Sequence, residues 1–391
     1  MTTILRSSIS VPLSTIAPLL RPYLTPSRIS INPTVLLSTS HSYPATLRSS
    51  FSTLSLSLTT GVAATPRARP ANEHDNPSED AYFIAPVASI LSSSSLSTSS
   101  SSSYPKGMIN STYLGIADGV GSWTGIVDPK LYPTALMKNT CTTLMENDIS
   151  NTFPDNITSL IKHTWEQTNN QQIEGSSTIT LSLFDAVHNV LRTQNIGDGQ
   201  VLLLRHDTST SLLTNYKVFS RTVSQSKRFN LPYQLGYSKN IKNIQYFDLP
   251  DKQQNYSWNI QDKDIIILST DGMFDNLFDK DILDILSKKL PLLSSLSTGE
   301  FCHALAKQLV TTAREYSLDR RRDGPFAVEA KDNDILWSLG GHPDDITVIV
   351  GYIHKETTNT SNFPDTLTIS NHLHSLIPQN QFIQVLKEQR K

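Results

Sequence analysis

The sequence predicts an α+β sandwich, and three observations carry that expectation. Strand-like and helix-like runs fall in separate blocks, without the βαβ alternation of a parallel sheet. Residues 174–220 read as successive short strands with turn residues between them, an antiparallel meander. Ile265, Ile266, Ile267 and Leu268 form a continuous apolar run, as a strand buried on both faces requires.

Residues 1–72 contain no Asp, Glu or Lys but six Arg (Arg6, Arg21, Arg28, Arg48, Arg67, Arg69), with a great excess of Ser, Thr and Leu. An acid-free, Arg- and Ser-rich leader suits a mitochondrial transit peptide; a merely disordered polar tail is the alternative. Its apolar stretches around residues 11–20 and 51–64 are broken by Ser, Thr, Pro and Arg, short of the roughly 18 uninterrupted apolar residues of a membrane span. No membrane span is expected. The folded part, residues 73–356, is expected to begin where acids first occur, with a strand at 81–87 after the pair Glu79-Asp80. A serine tract, 92–103, inside a loop insertion over 88–107, cannot bury apolar surface. Strand-like text resumes at 112–118, so the pair reads as a hairpin with an enlarged connection, which costs little closure entropy.

Residues 133–147 and 155–173 place Leu136, Thr140, Leu144 and Ile157, Leu160, Ile161, Trp165 at helical spacing, and Pro133 fits a helix start. Within the meander, Gly197-Asp198-Gly199 reads as a turn. Helices are expected over 279–289 and 300–316, then a last strand over 346–353, and residues 357–391 form a C-terminal extension.

Without the leader, 27 basic residues (33 minus 6) face 35 acidic ones. No basic stripe with interleaved aromatics is present, so no nucleic acid partner is expected. Cys141 and Cys302 are too few for a disulfide framework or a thiolate metal site and read as reduced core residues. Neither precedes the Gly-rich turn and Arg of a thiol phosphatase. The spacing of a dinucleotide fingerprint and a Walker loop are both missing.

At Asp271-Gly272 an apolar strand ends on a carboxylate, with Asp275 four residues on, and such a strand end is well placed to hold a cation. Asp-Gly is also the commonest turn dipeptide. The pattern recurs, however, at Asp118-Gly119, and the last strand is entered from Asp344-Asp345. Carboxylates brought together raise one another's pKa unless a cation neutralises them, so this constellation calls for an ion.

In order, the chain carries SEDAYF (78–83), ADGVGSW (117–123), GSST (175–178), NIGDGQ (195–200), STDGMFDNL (269–277) and PDDITVIV (343–350). Together these resemble the metal-dependent type 2C (PPM) Ser/Thr protein phosphatases, over about residues 72–354. DGVGSW, FNLPYQLG (229–236) and PFAVEA…GGHPDD (325–345) resemble the small mitochondrial branch of that family.

The resemblance implies a four-layer α-β-β-α sandwich of two antiparallel sheets and a rim site for Mn²⁺ or Mg²⁺, with two core ions and a weaker third. Hard divalent cations prefer oxygen ligands, which this chain supplies. By resemblance, Asp118 bridges both ions, Glu79 and the Gly119 carbonyl hold one, and Asp271 and Asp344 hold the other. Asp80 orients metal-held water, and Asp198, with Asp271 and Asp275, matches the third position. Asp118, Asp271 and Asp80 are thereby the implied catalytic acids, for in-line attack of an activated water on phosphorus. Phosphoprotein substrates in the mitochondrial matrix are implied, metabolic or ubiquinone-synthesis enzymes among them, and a monomer is expected.

Two departures stand out. Val120 replaces the His that many relatives offer as general acid, and Asp75 occupies the place of their phosphate-contacting Arg. His342, just before Pro343-Asp344, has two readings, a residue near the site or an exposed loop histidine, the second being the commoner case. A catalytically weak or non-catalytic regulatory relative would keep this fold and lose acids, but all four principal ligand positions are occupied here.

Overall fold

The computed structural model describes residues 56–67, 78–90, 108–146, 157–207, 209, 215–355 and 368–369. The first sheet holds, in spatial order, β1 (Leu56–Thr65), β14 (Ile346–Lys355), β13 (Ile265–Ser269), β7 (Gln200–His206) and β8 (Tyr216–Arg221). The second holds β12 (Gln254–Asn259), β6 (Val190–Ile196), β5 (Ile179–Asp185), β3 (Met108–Ala117), β2 (Ala81–Ile90) and β15 (Thr368–Ile369). Every pairing in both sheets is antiparallel, as are two short pairs beside them, β4 (Gly175–Ser177) with β11 (Leu235–Tyr237) and β9 (Ser226–Arg228) with β10 (Leu231–Pro232).

Three apolar cores separate four layers. Helices α1 (Leu131–Glu146) and α2 (Ile157–Asn170) bury Leu136, Leu144, Ile157, Leu160 and Ile161 against the second sheet. Helices α4 (Asp279–Lys289) and α5 (Thr298–Ser317) cover the first sheet, where Ile282, Leu286, Leu305 and Leu309 pack on it. Between the sheets lies the third core. The apolar run of β13 explains itself here: Ile265 and Ile267 face the helices, whereas Ile266 and Leu268 face the other sheet. A period of two covered on both sides leaves no position for a polar side chain. Cys141 and Cys302 are buried thiols outside any disulfide among the described residues, and burial pushes both up to about 12, so neither is a nucleophile at neutral pH.

The hairpin of β2 and β3 forms as expected, Ala81 opposite Ala117 through Ile90 opposite Met108. The serine tract and Asp75 lie outside the described residues. Helix α5 begins two residues ahead of the expected 300 because Ser297 and Glu300 make a capping box, Ser297 N donating to Glu300 Oε2 at 2.9 Å. Two helices went unread, α3 (Asp271–Phe274), too short for periodicity, and α6 (Pro325–Asp332), which Pro325 opens.

Two expectations are corrected. The strands of residues 174–220 are not one meander: β5 and β6 pair in the second sheet and β7 and β8 in the first. The chain changes sheets at Gly197-Asp198-Gly199, where Gly197 adopts a left-handed φ of 110°. A glycine turn serves a hairpin and a crossing equally, so local text does not separate them. The boundary at residue 73 also moves. β1 lies inside the stretch read as leader, pairing with β14 from Leu56 opposite Lys355 to Thr65 opposite Ile346, and it buries Leu56 and Leu58 between the sheets. LSLTTGVAAT has the Ser/Thr-rich, acid-free composition of the leader, so composition concealed a strand. At the other end, β15 attaches part of the C-terminal extension to β2. Among the described residues no helix is long and apolar enough to cross a membrane.

The β1 pairing can be tested by comparing two shortened chains, one beginning at residue 53 and one at residue 73. The chain beginning at residue 73 loses two buried leucines and leaves β14 paired on its β13 edge alone. Thermal unfolding should show it less stable by about 3–6 kcal/mol, at 1.5–3 kcal/mol per buried leucine.

Candidate metal centre

The acids converge because the strands end together at one rim of the sandwich. Asp118 and Gly119 follow β3, Asp271 follows β13 at the first turn of α3, and Asp344 precedes β14. Glu79 precedes β2, and Asp198 stands where the chain changes sheets. Glu79, Asp118, Gly119, Asp198, Asp271 and Asp344 all line one cavity of about 280 Å³. Gly272 is required for contact rather than for a turn: a Cβ there would stand 2.0 Å from the Asp345 carbonyl oxygen. The missing side chain thus lets α3 pack closely on the entry to β14.

Hydrogen bonds tie the rim together across the two sheets. Asp345, buried, accepts from the backbone N–H of Glu79 at 2.7 Å and from that of Arg67. Thr270 donates to Asp80 Oδ2 at 3.0 Å and accepts from Thr347 N at 3.1 Å. Asp118 N donates to Thr178 Oγ1 at 3.2 Å, while Thr178 N donates to the Asp118 carbonyl at 3.0 Å.

The electrostatics are those of acids held together against their repulsion. Burial first, then the charges of Asp80, Asp271, Asp344 and Asp198, holds the Asp118 carboxyl well above the usual range. Asp271 is raised by burial and by Asp198, Asp275 and Asp344. Burial and Asp275 push Asp198 up to about 7. Asp80 and Asp344 are raised mainly by burial, with His342 partly offsetting the shift of Asp344.

The donor set fits hard divalent ions. It is all oxygen, and Asp271 Oδ1 and Asp80 Oδ1 are buried with no hydrogen-bond partner, a costly state that a cation relieves. No three His, Cys, Asp or Glu side chains among the described residues form a ready-made cage; the acids stand around the cavity wall. Asp80 and Asp275 lie off that cavity. Asp80 sits behind it on Thr270, and Asp275 lines a neighbouring cavity beside Asp198.

His342 is not an exposed loop residue, and that reading is corrected. Its ring lines the cavity, with its side chain only 14% exposed, and Nδ1 lies 2.7 Å from Asp275 Oδ2. Phe326 of α6 stacks on it with centroids 3.9 Å apart, and Trp337 meets it edge-on at 5.5 Å. Burial pulls its pKa down, but the hydrogen bond and charge of Asp275 together with the charge of Asp344 carry the net shift upward. Val120 is in the cavity wall, as its place beside Asp118-Gly119 implies. Arg67 also went unread. It supplies the one Lys or Arg side chain lining the cavity among the described residues, with Nη2 3.8 Å from Glu79 Oε1. Its signal was hidden because it belongs to the Arg-rich stretch read as leader.

No protein-family model matches the chain. It is 32% identical over 243 residues to the protein phosphatase PTC7 homolog fig of Drosophila simulans, covering 61% of this chain and 72% of the relative. It is 33% identical over 248 residues to the protein phosphatase PTC7 homolog of Homo sapiens, covering 62% of this chain and 76% of the relative. The X-ray structure of the photosystem II phosphatase PBCP shares the fold, with a TM-score of 0.56 at 23% identity over 76% of this chain and 98% of that one. The chain is a member of the type 2C (PPM) family of protein serine/threonine phosphatases, in the group of PTC7 homologues.

Proposed function

We propose that this protein is a metal-dependent phosphatase that hydrolyses phosphoserine and phosphothreonine on mitochondrial proteins. The observation that carries the reading is the single rim cavity lined by Glu79, Asp118, Asp198, Asp271 and Asp344, with a buried, unpartnered oxygen on Asp271. Asp118 would lie between two Mn²⁺ or Mg²⁺ ions, with Glu79 and the Gly119 carbonyl on one and Asp271 and Asp344 on the other. Asp198 offers a weaker third position. Such ions supply Lewis acidity that lowers the pKa of water and screens phosphoryl charge.

The chain's own groups complete the chemistry. Asp80, held by Thr270 behind the cavity wall, adds its charge to that of Asp118 and would help orient water in front of it. Arg67 presents a planar guanidinium to phosphoryl oxygens, the role left open at position 75. Val120 has no proton to give, whereas His342 keeps Nε2 free while Asp275 holds Nδ1, so Nε2 can protonate the leaving alkoxide. The acid-free stretch ahead of β1 supports import into mitochondria.

Kinetics separate these roles. Asp118→Asn or Asp271→Asn should cost at least about a hundredfold in activity, about 2.7 kcal/mol in barrier, with the fold retained; near-normal Mn²⁺-dependent turnover would displace the site. His342→Gln should depress turnover of phosphothreonine peptides about tenfold or more, yet spare a chromogenic aryl phosphate, whose leaving group is weakly basic. An unchanged ratio between the two substrates would remove His342 from the proton route.

The raised carboxyl pKa values set a pH dependence of stability. A carboxyl whose folded pKa lies above its unfolded value of about 3.9 binds more protons when folded, so stability is lost as pH rises between the two. For Asp198 that window ends at about 7. Metal-free protein should therefore melt several degrees higher at pH 5.5 than at pH 8 by calorimetry, and Mn²⁺ should remove most of that difference. For location, a fluorescent reporter carrying residues 1–55 should enter mitochondria, and replacing Arg6, Arg21 and Arg28 by Gln should weaken its import; diffuse fluorescence from the unaltered leader would overturn it.

A further inference from the structure

A second cavity of about 310 Å³ opens beside the metal centre, and it is apolar where the first is acidic. The two share Ser122, Leu231 and Gln234 in their walls, so they are neighbouring compartments of one surface. Trp123 and Phe247 form one side, stacked with centroids 6.1 Å apart. Ile126, 67% exposed, and Tyr246, 46% exposed, stand at the edge with their apolar surface open to water.

The wall between the cavities is rigid. Trp123 Nε1 donates to Ser176 Oγ at 2.7 Å, and Ser176 donates to Gln234 Oε1 at 2.6 Å. Ser177, next in sequence, bridges to Gly119 of the metal centre. The groove is thus fixed relative to the place where phosphorus would sit. Neither Ile126 nor Tyr246 closes an internal core, so no folding role accounts for their exposure.

We infer that this groove binds an apolar side chain of the phosphoprotein substrate, a few residues from the phosphorylated Ser or Thr. The inference rests on the phosphatase reading above. A phosphoresidue in the acidic cavity can lay its flanking chain over the shared wall of Ser122, Leu231 and Gln234. An extended chain advances about 3.3–3.6 Å per residue, so the adjoining groove is reached within about three residues. An apolar side chain there covers Ile126 and the Trp123 and Phe247 rings, and discrimination in such a pocket reaches about tenfold or more. The partner is thus a phosphorylated, extended segment with Leu, Ile or Phe near the phosphosite.

The test uses full-length, Mn²⁺-loaded protein and phosphothreonine peptides with Ala at all flanking positions, into which a single Leu is scanned from three residues before to three after. One position should raise kcat/KM about tenfold over the all-Ala peptide. Ile126→Asp should abolish that ratio, whereas Ile126→Phe should preserve it in a protein checked for its melting temperature. The same peptides titrated into Asp271→Asn protein should bind with the same preference for Leu, independent of turnover. Hydrolysis with a flat Leu scan, or a Leu preference that survives Ile126→Asp, would overturn the groove and leave the phosphatase reading standing. Leu-dependent binding without hydrolysis of any phosphopeptide or aryl phosphate by unaltered protein would overturn the phosphatase reading and keep the groove.

Discussion

One buried carboxylate, Asp345, joins the parts from which the site is made. It stands at the entry to β14 in the first sheet, yet its two oxygens accept backbone N–H groups from Glu79, at the entry to β2 in the second sheet, and from Arg67, just past β1. Charge-assisted bonds of this kind are short and directional, and a buried charge that lost them would be costly. Asp345 therefore fixes where Glu79 stands relative to Asp344. Thr270 adds a parallel tie from the end of β13 to Asp80. The rim is defined by these ties, because the apolar cores below it specify only that the sheets face each other.

The acids above that rim are held in an unfavourable state. Burial is the largest cause of every raised carboxyl at the centre, with mutual repulsion added to it. Three interlayer cores supply the stability against which such a cluster can be kept. A site whose donors are already arranged and poorly satisfied gives a cation more than a relaxed one would, since binding removes an existing penalty.

Motifs far apart in the chain meet at His342. Phe229, from FNLPYQLG, packs on Phe326, from PFAVEA, with centroids 4.8 Å apart, and Phe326 in turn stacks on His342. The residues next to Phe229, namely Asn230, Leu231 and Pro232, form part of the wall of the acidic cavity, and Leu231 also borders the apolar groove. These segments support one another, which is the physical reason that such unremarkable local sequences belong with the acid motifs.

By itself the sequence determined the layers and the acids. The run at 265–268 suited a strand covered on both faces, the helical spacings over 133–147 and 155–173 marked the helices that form at 131–146 and 157–170, and Asp118, Asp271 and Asp344 stood out as carboxylates at strand ends. These are local properties, set by periodicity and by the chemistry of single residues. Tertiary structure alone decided the rest. A glycine turn does not say whether the next strand stays in its sheet, and Gly197 sends the chain across to the other. Composition does not separate a leader from a Ser/Thr-rich strand, so only pairing with β14 revealed β1 and brought Arg67 to the cavity. His342 looked like loop because nothing nearby in sequence covers it; Phe326, Trp337 and Asp275 do so from other segments or across a turn. Contacts between distant segments depend on how the layers stack, and no window of the chain contains that information.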